Sequence, residues 1–199
     1  MASLAHPGSN LTGVEFRNVE IMGKRLELLK EAIPMISRVA VLLDPAPPYA
    51  HIPSNIEAEA RALGVRLQRV EVRDPGTFEA IFAALVQAQT DALMIMESVF
   101  FGRNRDRLLE LAVRHRLPAI SGDRSFAEAG SLLAYGAQIS KVCQRSAVHV
   151  DKILKGTKPA QIPVERLDKF DLVINLKTAK ALGLTIPPSL LFQAEEVIR

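Results

Sequence analysis

Arg38 to Leu43 reads RVAVLL and is closed at once by Asp44-Pro45. Five consecutive aliphatic side chains leave no polar face, so the run predicts a strand buried on both sides, as in a parallel sheet covered by helices. The flanking sequence supplies those helices. Upstream, Met22, Leu26, Leu29 and Ile33 recur at helical spacing. Downstream, Ser54 and Glu57 have the form of a capping box ahead of Ile56, Ala60 and Leu63, with Gly64 as the stop. Val65 to Val72 alternates like a half-buried strand. Asp74-Pro75 gives an N-cap and a first-turn proline for the stripe Phe78, Ile81, Phe82 and Leu85. Asp91 to Met96 is another buried strand, and Arg105 to Arg114 a helix with Leu108, Leu109 and Ala112 inward. Leu117 to Ser121 is strand-like, Ser125 and Glu128 bound one turn closed by Gly130, and Ser131 to Tyr135 is a fifth strand. Such repetition predicts an α/β fold, a doubly wound parallel sheet with helices on both faces and right-handed crossovers.

The chain has 199 residues, 48% hydrophobic and 24% charged, which suits a globular core. No run has the length of a membrane span. Net charge is +3 with scattered basic residues, so nucleic acid is not expected as a partner. Cys143 is the single cysteine, which excludes an internal disulfide and a cysteine-rich metal site. His6, His51, His115 and His149 lack ligand spacing, so no metal site is expected, and no cofactor. No serine elbow or phosphate-binding glycine loop is present; PGSNLTG is neither. Met1 to Asn10, MASLAHPGSN, has no basic and apolar regions of a secretory signal. The chain as written is therefore expected to stay in the cytoplasm.

Ligands on parallel sheets sit outside the carboxyl ends of the strands. That rule nominates Asp44, Tyr49 and His51; Glu97 and Ser98; Ser121, Asp123 and Arg124; and Tyr135 with Gly136. Each has a plainer reading. Asp-Pro also ends strands, and Tyr49 in its proline-rich loop also suits simple packing. Asp123 and Arg124 suit an ammonium and a carboxylate, or a local ion pair and a cap on the Ser125 turn. Arg103, Arg105 and Arg107 read as a solvated helix start. After Gly136 the pattern changes. Lys141 to Lys155 is a longer helix with Cys143, Ala147, Val150 and Leu154 on one face, expected to be core. Lys158 to Val164 is a connector. The chain ends in FDLVINLKTAKALGLTIPPSLLFQAEEVIR, Phe170 to Arg199: a strand run, a helix stopped by Gly183, and a helix opened by Pro187-Pro188.

That C-terminal string resembles the solute-binding proteins of bacterial ABC importers of the tryptophan-binding type. Three further segments resemble the same family in the same order: PGSNLTG (Pro7 to Gly13); KRLELLKEAIP with RVAVLLDP (Lys24 to Pro34, Arg38 to Pro45); and AYG with DKILKG (Ala134 to Gly136, Asp151 to Gly156). The resemblance implies a periplasmic-binding-protein type I-like fold. Residues 1–13 would be an inter-lobe crossing, 14–136 the second α/β lobe, and 137–199 the return crossing, helix and C-terminal elements of a first lobe otherwise missing. It implies a non-catalytic protein that binds a small organic solute such as an amino acid. Asp44, Tyr49, Glu97, Ser98, Asp123, Arg124 and Tyr135 would be ligand-binding, and Asn10, Thr12 and Gly136 hinge positions, whose plainer reading is turn chemistry. The implied partners are the membrane subunits of an ABC importer, and the implied compartment is the periplasm. A homodimer through Lys141 to Leu154 or the C-terminal segment is also expected, because orphaned apolar surface favours self-association. The alternatives are a self-associating module without solute binding and a flavodoxin-like enzyme using Asp44 or Glu97.

Overall fold

The computed structural model describes residues 3–16, 21–46, 52 and 55–199. Tyr49, His51 and the capping-box Ser54 lie outside them. Two compact units emerge: Met1–Asn18 with Ala137–Phe170, and Val19–Gly136 with Asp171–Arg199. The smaller begins with β1 (Val14–Phe16). The larger follows with α1 (Met22–Ala32), β2 (Arg38–Leu43), α2 (Ile56–Ala62), β3 (Arg66–Glu71), α3 (Phe78–Gln87), β4 (Ala92–Ile95), α4 (Val99–Arg114), β5 (Ala119–Ser121), α5 (Arg124–Ala129) and β6 (Leu133–Gly136). The smaller resumes with α6 (Ile139–Leu154) and β7 (Glu165–Leu167). The larger ends with β8 (Asp171–Asn175), α7 (Leu176–Leu182), α8 (Pro188–Gln193) and β9 (Glu196–Ile198).

The larger unit carries a sheet in the order β3-β2-β4-β5-β6-β8-β9. Side chains alternate across it, so β2 feeds two apolar layers. Val39, Val41 and Leu43 pack with Met22, Leu26 and Leu29 of α1 and Ile56 of α2. Ala40 and Leu42 pack with Phe78 and Phe82 of α3 and with Phe101 and Leu108 of α4. The helices thus cover both faces, as expected. Asp74 accepts from the Gly76 N–H at 2.8 Å and caps a short 3-10 turn, Pro75–Thr77, ahead of α3. At α2 the cap position is Asn55, whose side chain makes no capping bond.

Three differences from the sequence reading concern the smaller unit and the C-terminal segment. Residues 137–199 do not stay together. Every residue of β8 is buried, and such a strand needs sheet on its edge and helices on its faces. It finds them in the larger unit, where Leu172 and Ile174 join Ala179 of α7 and Leu190 of α8 in the α1 layer. It pairs antiparallel with β6, Gly136 opposite Asp171, so the sheet is mixed rather than wholly parallel. Second, residues 14–16 belong to the smaller unit, where β1 pairs in parallel with β7. Third, the face of α6 expected to be core is exposed: Cys143, Ala147, Val150 and Leu154 all face solvent, while His149 is buried.

Within the smaller unit, Thr12 Oγ1 donates to the Ile162 carbonyl at 2.8 Å, and Arg145 Nε donates to Glu165 at 2.7 Å. The Arg145 hydrogen bond holds the Glu165 carboxyl below its usual range, against the opposing pull of partial burial.

Ile174→Ala is expected to destabilise the chain by about 2–5 kcal/mol in denaturant titration, whereas exposed Phe192→Ala stays within about 0.5 kcal/mol. Because folding lowers the Glu165 pKa, its contribution is full above the ordinary glutamate range and fades as pH falls through the lowered value. Glu165→Gln should therefore flatten the acid limb of a stability-against-pH curve, leaving neutral and alkaline limbs parallel to wild type.

Candidate functional site

The strand register builds a rim at the carboxyl end of the larger sheet. Leu42 pairs with Ile95, Ile95 with Ser121, and Ser121 with Ala134. These four form one lateral row across β2, β4, β5 and β6. Two residues on in sequence come Asp44, Glu97 and Asp123, each just past the end of its strand, and Gly136, the last residue of β6; one residue on come Leu43, Met96, Gly122 and Tyr135. Three of those four outer positions are carboxylates, at the end where parallel sheets hold ligands.

Beneath the rim lies a charge that the sequence reading missed. Arg25 of α1 is fully buried. Its Nε donates to the Tyr135 carbonyl at 2.8 Å, and its guanidinium forms an ion pair with Glu97, whose side chain is 23% exposed. A Cβ on Gly122 would run into both Glu97 Oε1 and Arg25 Nη2, and a Cβ on Gly136 would run into the Gly122 carbonyl. One guanidinium therefore links the ends of β4 and β6 under the end of β5, and two glycines let the backbones close over it. Ser121 Oγ and Arg25 Nη1 are buried without a hydrogen-bond partner among the described residues. The signal for Arg25 was present: it falls on the same helical face as Met22, Leu26 and Leu29, a cation in an otherwise apolar stripe.

The other nominated residues divide by what holds them. Asp44 is buried and accepts from the Ala46 N–H at 2.9 Å, an Asx turn that fixes the exit from β2. Ser98 caps α4, accepting from Phe101 N–H at 3.1 Å. Asp123 caps α5, accepting from Ser125 N–H at 2.8 Å. The cap falls two residues before Ser125, because Asp123 is the residue with extended backbone. Arg124 donates to Glu128 at 2.8 Å and to Glu196 of β9 at 2.9 Å. These contacts, Glu128 first, push its pKa up despite some desolvation. Both plainer readings, cap and local ion pair, thus describe contacts that exist. Asn175 also escaped notice; it donates to the Ala127 carbonyl and accepts from Thr178 N–H, joining the end of β8 to α5. Of the hinge positions, Asn10 is exposed and Thr12 holds Ile162 within the smaller unit, while Gly136 ends β6 in the larger.

A shallow cleft of about 300 Å³ lies at the opposite, amino end of the strands, lined by Ile33, Met35, Thr90, Asp91 and Pro118. Its acid is committed: Asp91 accepts from Ser37 N–H, Ser37 Oγ and Arg38 N–H. Among the described residues no group of three or more His, Cys, Asp or Glu is placed to hold a metal, and no helix is long and apolar enough to cross a membrane.

The family model described as ABC transporter substrate binding protein matches residues 1–198. The chain belongs to that family. A tyrosine-binding protein of Clostridioides difficile (strain R20291) is 22% identical over 187 residues, which is 92% of this chain and 52% of that protein. The chain thus spans about half the length of this curated relative. Among solved structures, the ABC domain in complex with L-Trp from Streptococcus pneumonia superposes with a TM-score of 0.85 at 22% identity, covering 100% of this chain and 68% of that one. A conserved domain protein from Vibrio cholerae gives 0.85 at 22% identity, covering 99% and 65%. A ligand-free, open substrate binding protein with adhesive properties from Clostridium difficile gives 0.69 at 21%, covering 100% and 66%. A periplasmic binding ribose operon repressor protein from Lactobacillus acidophilus gives 0.57 at 14% identity, covering 84% and 64%. The fold is periplasmic-binding-protein type I-like.

The buried pair generates a stability prediction. Removing Arg25 leaves the largely buried Glu97 carboxylate without its counter-charge. Arg25→Met is expected to cost about 3–5 kcal/mol by denaturant titration. Gly136→Ala, which drives a Cβ into backbone, should cost about 1–3 kcal/mol, and Gly102→Ala, which meets nothing within 4 Å, should be neutral or stabilising.

Proposed function

We propose that this substrate-binding-family chain binds a small organic solute carrying an ammonium group, an amino acid in the first instance, and delivers it to the membrane subunits of an ABC importer. The observation that carries the reading is the rim row of Asp44, Glu97 and Asp123 at the carboxyl ends of adjacent strands, with the nearby cation Arg124 already taken by Glu128 and Glu196. A carboxylate-rich rim attracts an ammonium through charge-assisted hydrogen bonds. In this reading Asp44 and Glu97 meet the cationic end of the solute. Ser98 and Asp123 act through the helix starts they cap. Tyr49 and Tyr135 offer aromatic faces. Arg124 serves mainly to fix the α5 turn.

Two relatives support the solute class: one is named a tyrosine-binding protein, and a solved neighbour holds L-Trp. Binding would be reversible and without bond chemistry, with Asn10, Thr12 and Gly136 as hinge positions. Function in the periplasm or on the outer face of the membrane follows from the importer role.

Calorimetric titration with a panel of L-amino acids that includes tyrosine and tryptophan tests this. A saturable heat with at least one panel member is expected. Asp44→Asn should weaken it by about tenfold or more, equivalent to about 1.4 kcal/mol, with little change in melting temperature. No saturable binding across the panel, or an Asp44→Asn variant that binds as wild type, would refute the assignment.

A further inference from the structure

Among the described residues, six helices end on the same pair of backbone hydrogen bonds, with one residue in left-handed backbone. After α2, α5, α6 and α7 that residue is Gly64, Gly130, Gly156 and Gly183, which adopt it without steric cost. After α3 and α4 it is Gln89, at φ 53°, and Arg116, at φ 55°. A side chain in this conformation crowds the backbone. Gln89 has a partner inside the fold, because its Oε1 accepts from Arg38 Nη1 at 3.2 Å. The Arg116 side chain is exposed and makes no hydrogen bond or ion pair among the described residues. Strained backbone of this kind gathers where ligands are held.

Arg116 lines the cleft at the amino end of the larger sheet, and so does Thr90. Thr90 is only 9% exposed, and its hydroxyl has no hydrogen-bond partner among the described residues. The apolar walls include Ile33, Ile36, Leu182 and Leu184. A free guanidinium and an unbonded hydroxyl beside apolar walls suit a carboxylate on an apolar body, since the guanidinium can fork its two oxygens. The surrounding charge has the same sign. Lys30 Nζ donates to the Ile36 carbonyl at 2.8 Å, and Arg38 opens β2. The opposing acids are engaged: Asp91 Oδ2 accepts from Ser37 N–H, Ser37 Oγ and Arg38 N–H, and Glu31 accepts from Ser189 and Gln193. All of the lining belongs to the larger unit, whose joints to the smaller one lie at the opposite, carboxyl end. There Arg25 in the first turn of α1 meets Tyr135, and Gly136 ends β6 opposite Asp171 at the start of β8. We propose that the amino-end cleft is a second ligand site, which takes a small organic acid with an apolar body and holds its carboxylate with Arg116 and Thr90. The site is independent of the solute assigned to the rim.

Hexanoate is the probe, with hexanamide as its uncharged counterpart, titrated into the isotope-labelled full chain and followed by amide NMR shifts. Saturable shifts at Thr90, Asp91 and Leu117 are expected. For so shallow a cleft the dissociation constant should be on the order of 1 mM, and hexanamide should bind about tenfold more weakly or worse. Arg116→Gly should weaken hexanoate by about tenfold or more while raising the melting temperature by about 2–4 °C, because the left-handed strain is relieved. Thr90→Val, which keeps the side-chain shape, should weaken hexanoate several-fold. Any amino-acid binding measured in the calorimetric panel should be the same in both variants as in wild type, which separates the cleft from the rim. Absence of saturable shifts at the cleft, equal affinity for hexanamide, or an Arg116→Gly variant that binds hexanoate as wild type overturns the proposal.

Discussion

A guanidinium with no access to solvent sets the architecture of the larger unit. Arg25 enters from α1, bonds the carbonyl at the end of β6 and pairs with the carboxylate after β4. Parallel strands have no hairpin turns to fix their relative ends, so their loops are placed by what packs beneath them. Here that support is one buried cation with several bonding directions, which is why Arg rather than Lys suits the position. Gly122 and Gly136 are conditions of the same arrangement: any side chain at either would occupy space the ion pair and the β5 loop already fill.

The pair also divides the labour of the rim. Glu97 is partly neutralised from below while remaining partly open above, so it offers a preoriented oxygen rather than a free charge. Asp44 and Asp123 are each committed through one backbone N–H that fixes their direction. In the proposed reading, side chains held in this way would lose little further freedom on meeting a solute, which is the general advantage of preorganisation.

Much of this was legible in the residue order because the larger unit obeys local rules. RVAVLL, DALMIM and the helical stripes on either side of them announce buried strands and their covers. Asp74, capping the turn ahead of α3, and the glycine stop after α5 are local signals too. What escaped the reading were contacts made across long sequence separations. Arg25 meets Tyr135, and β8 chooses β6 as a neighbour although its own sequence is compatible with any open edge. The three-residue strands β1, β7 and β9 are too short to show a period. Cys143, Ala147, Val150 and Leu154 show the converse error: helical periodicity reports that a face is apolar and does not report whether anything covers it.

Gly136 and Asp171 stand opposite one another in the sheet, yet the whole stretch from Ala137 to Phe170 intervenes. Topologically β6 and β8 are the two arms of a hairpin, and the smaller unit's α6 and β7 are carried in what would be its turn. An excursion that leaves and returns at neighbouring ladder positions imposes no register on the sheet that launches it. The pairing of β6 with β8 therefore leaves the length of the excursion open, while the pairing of β7 with β1 ties its content to a segment far earlier in the chain.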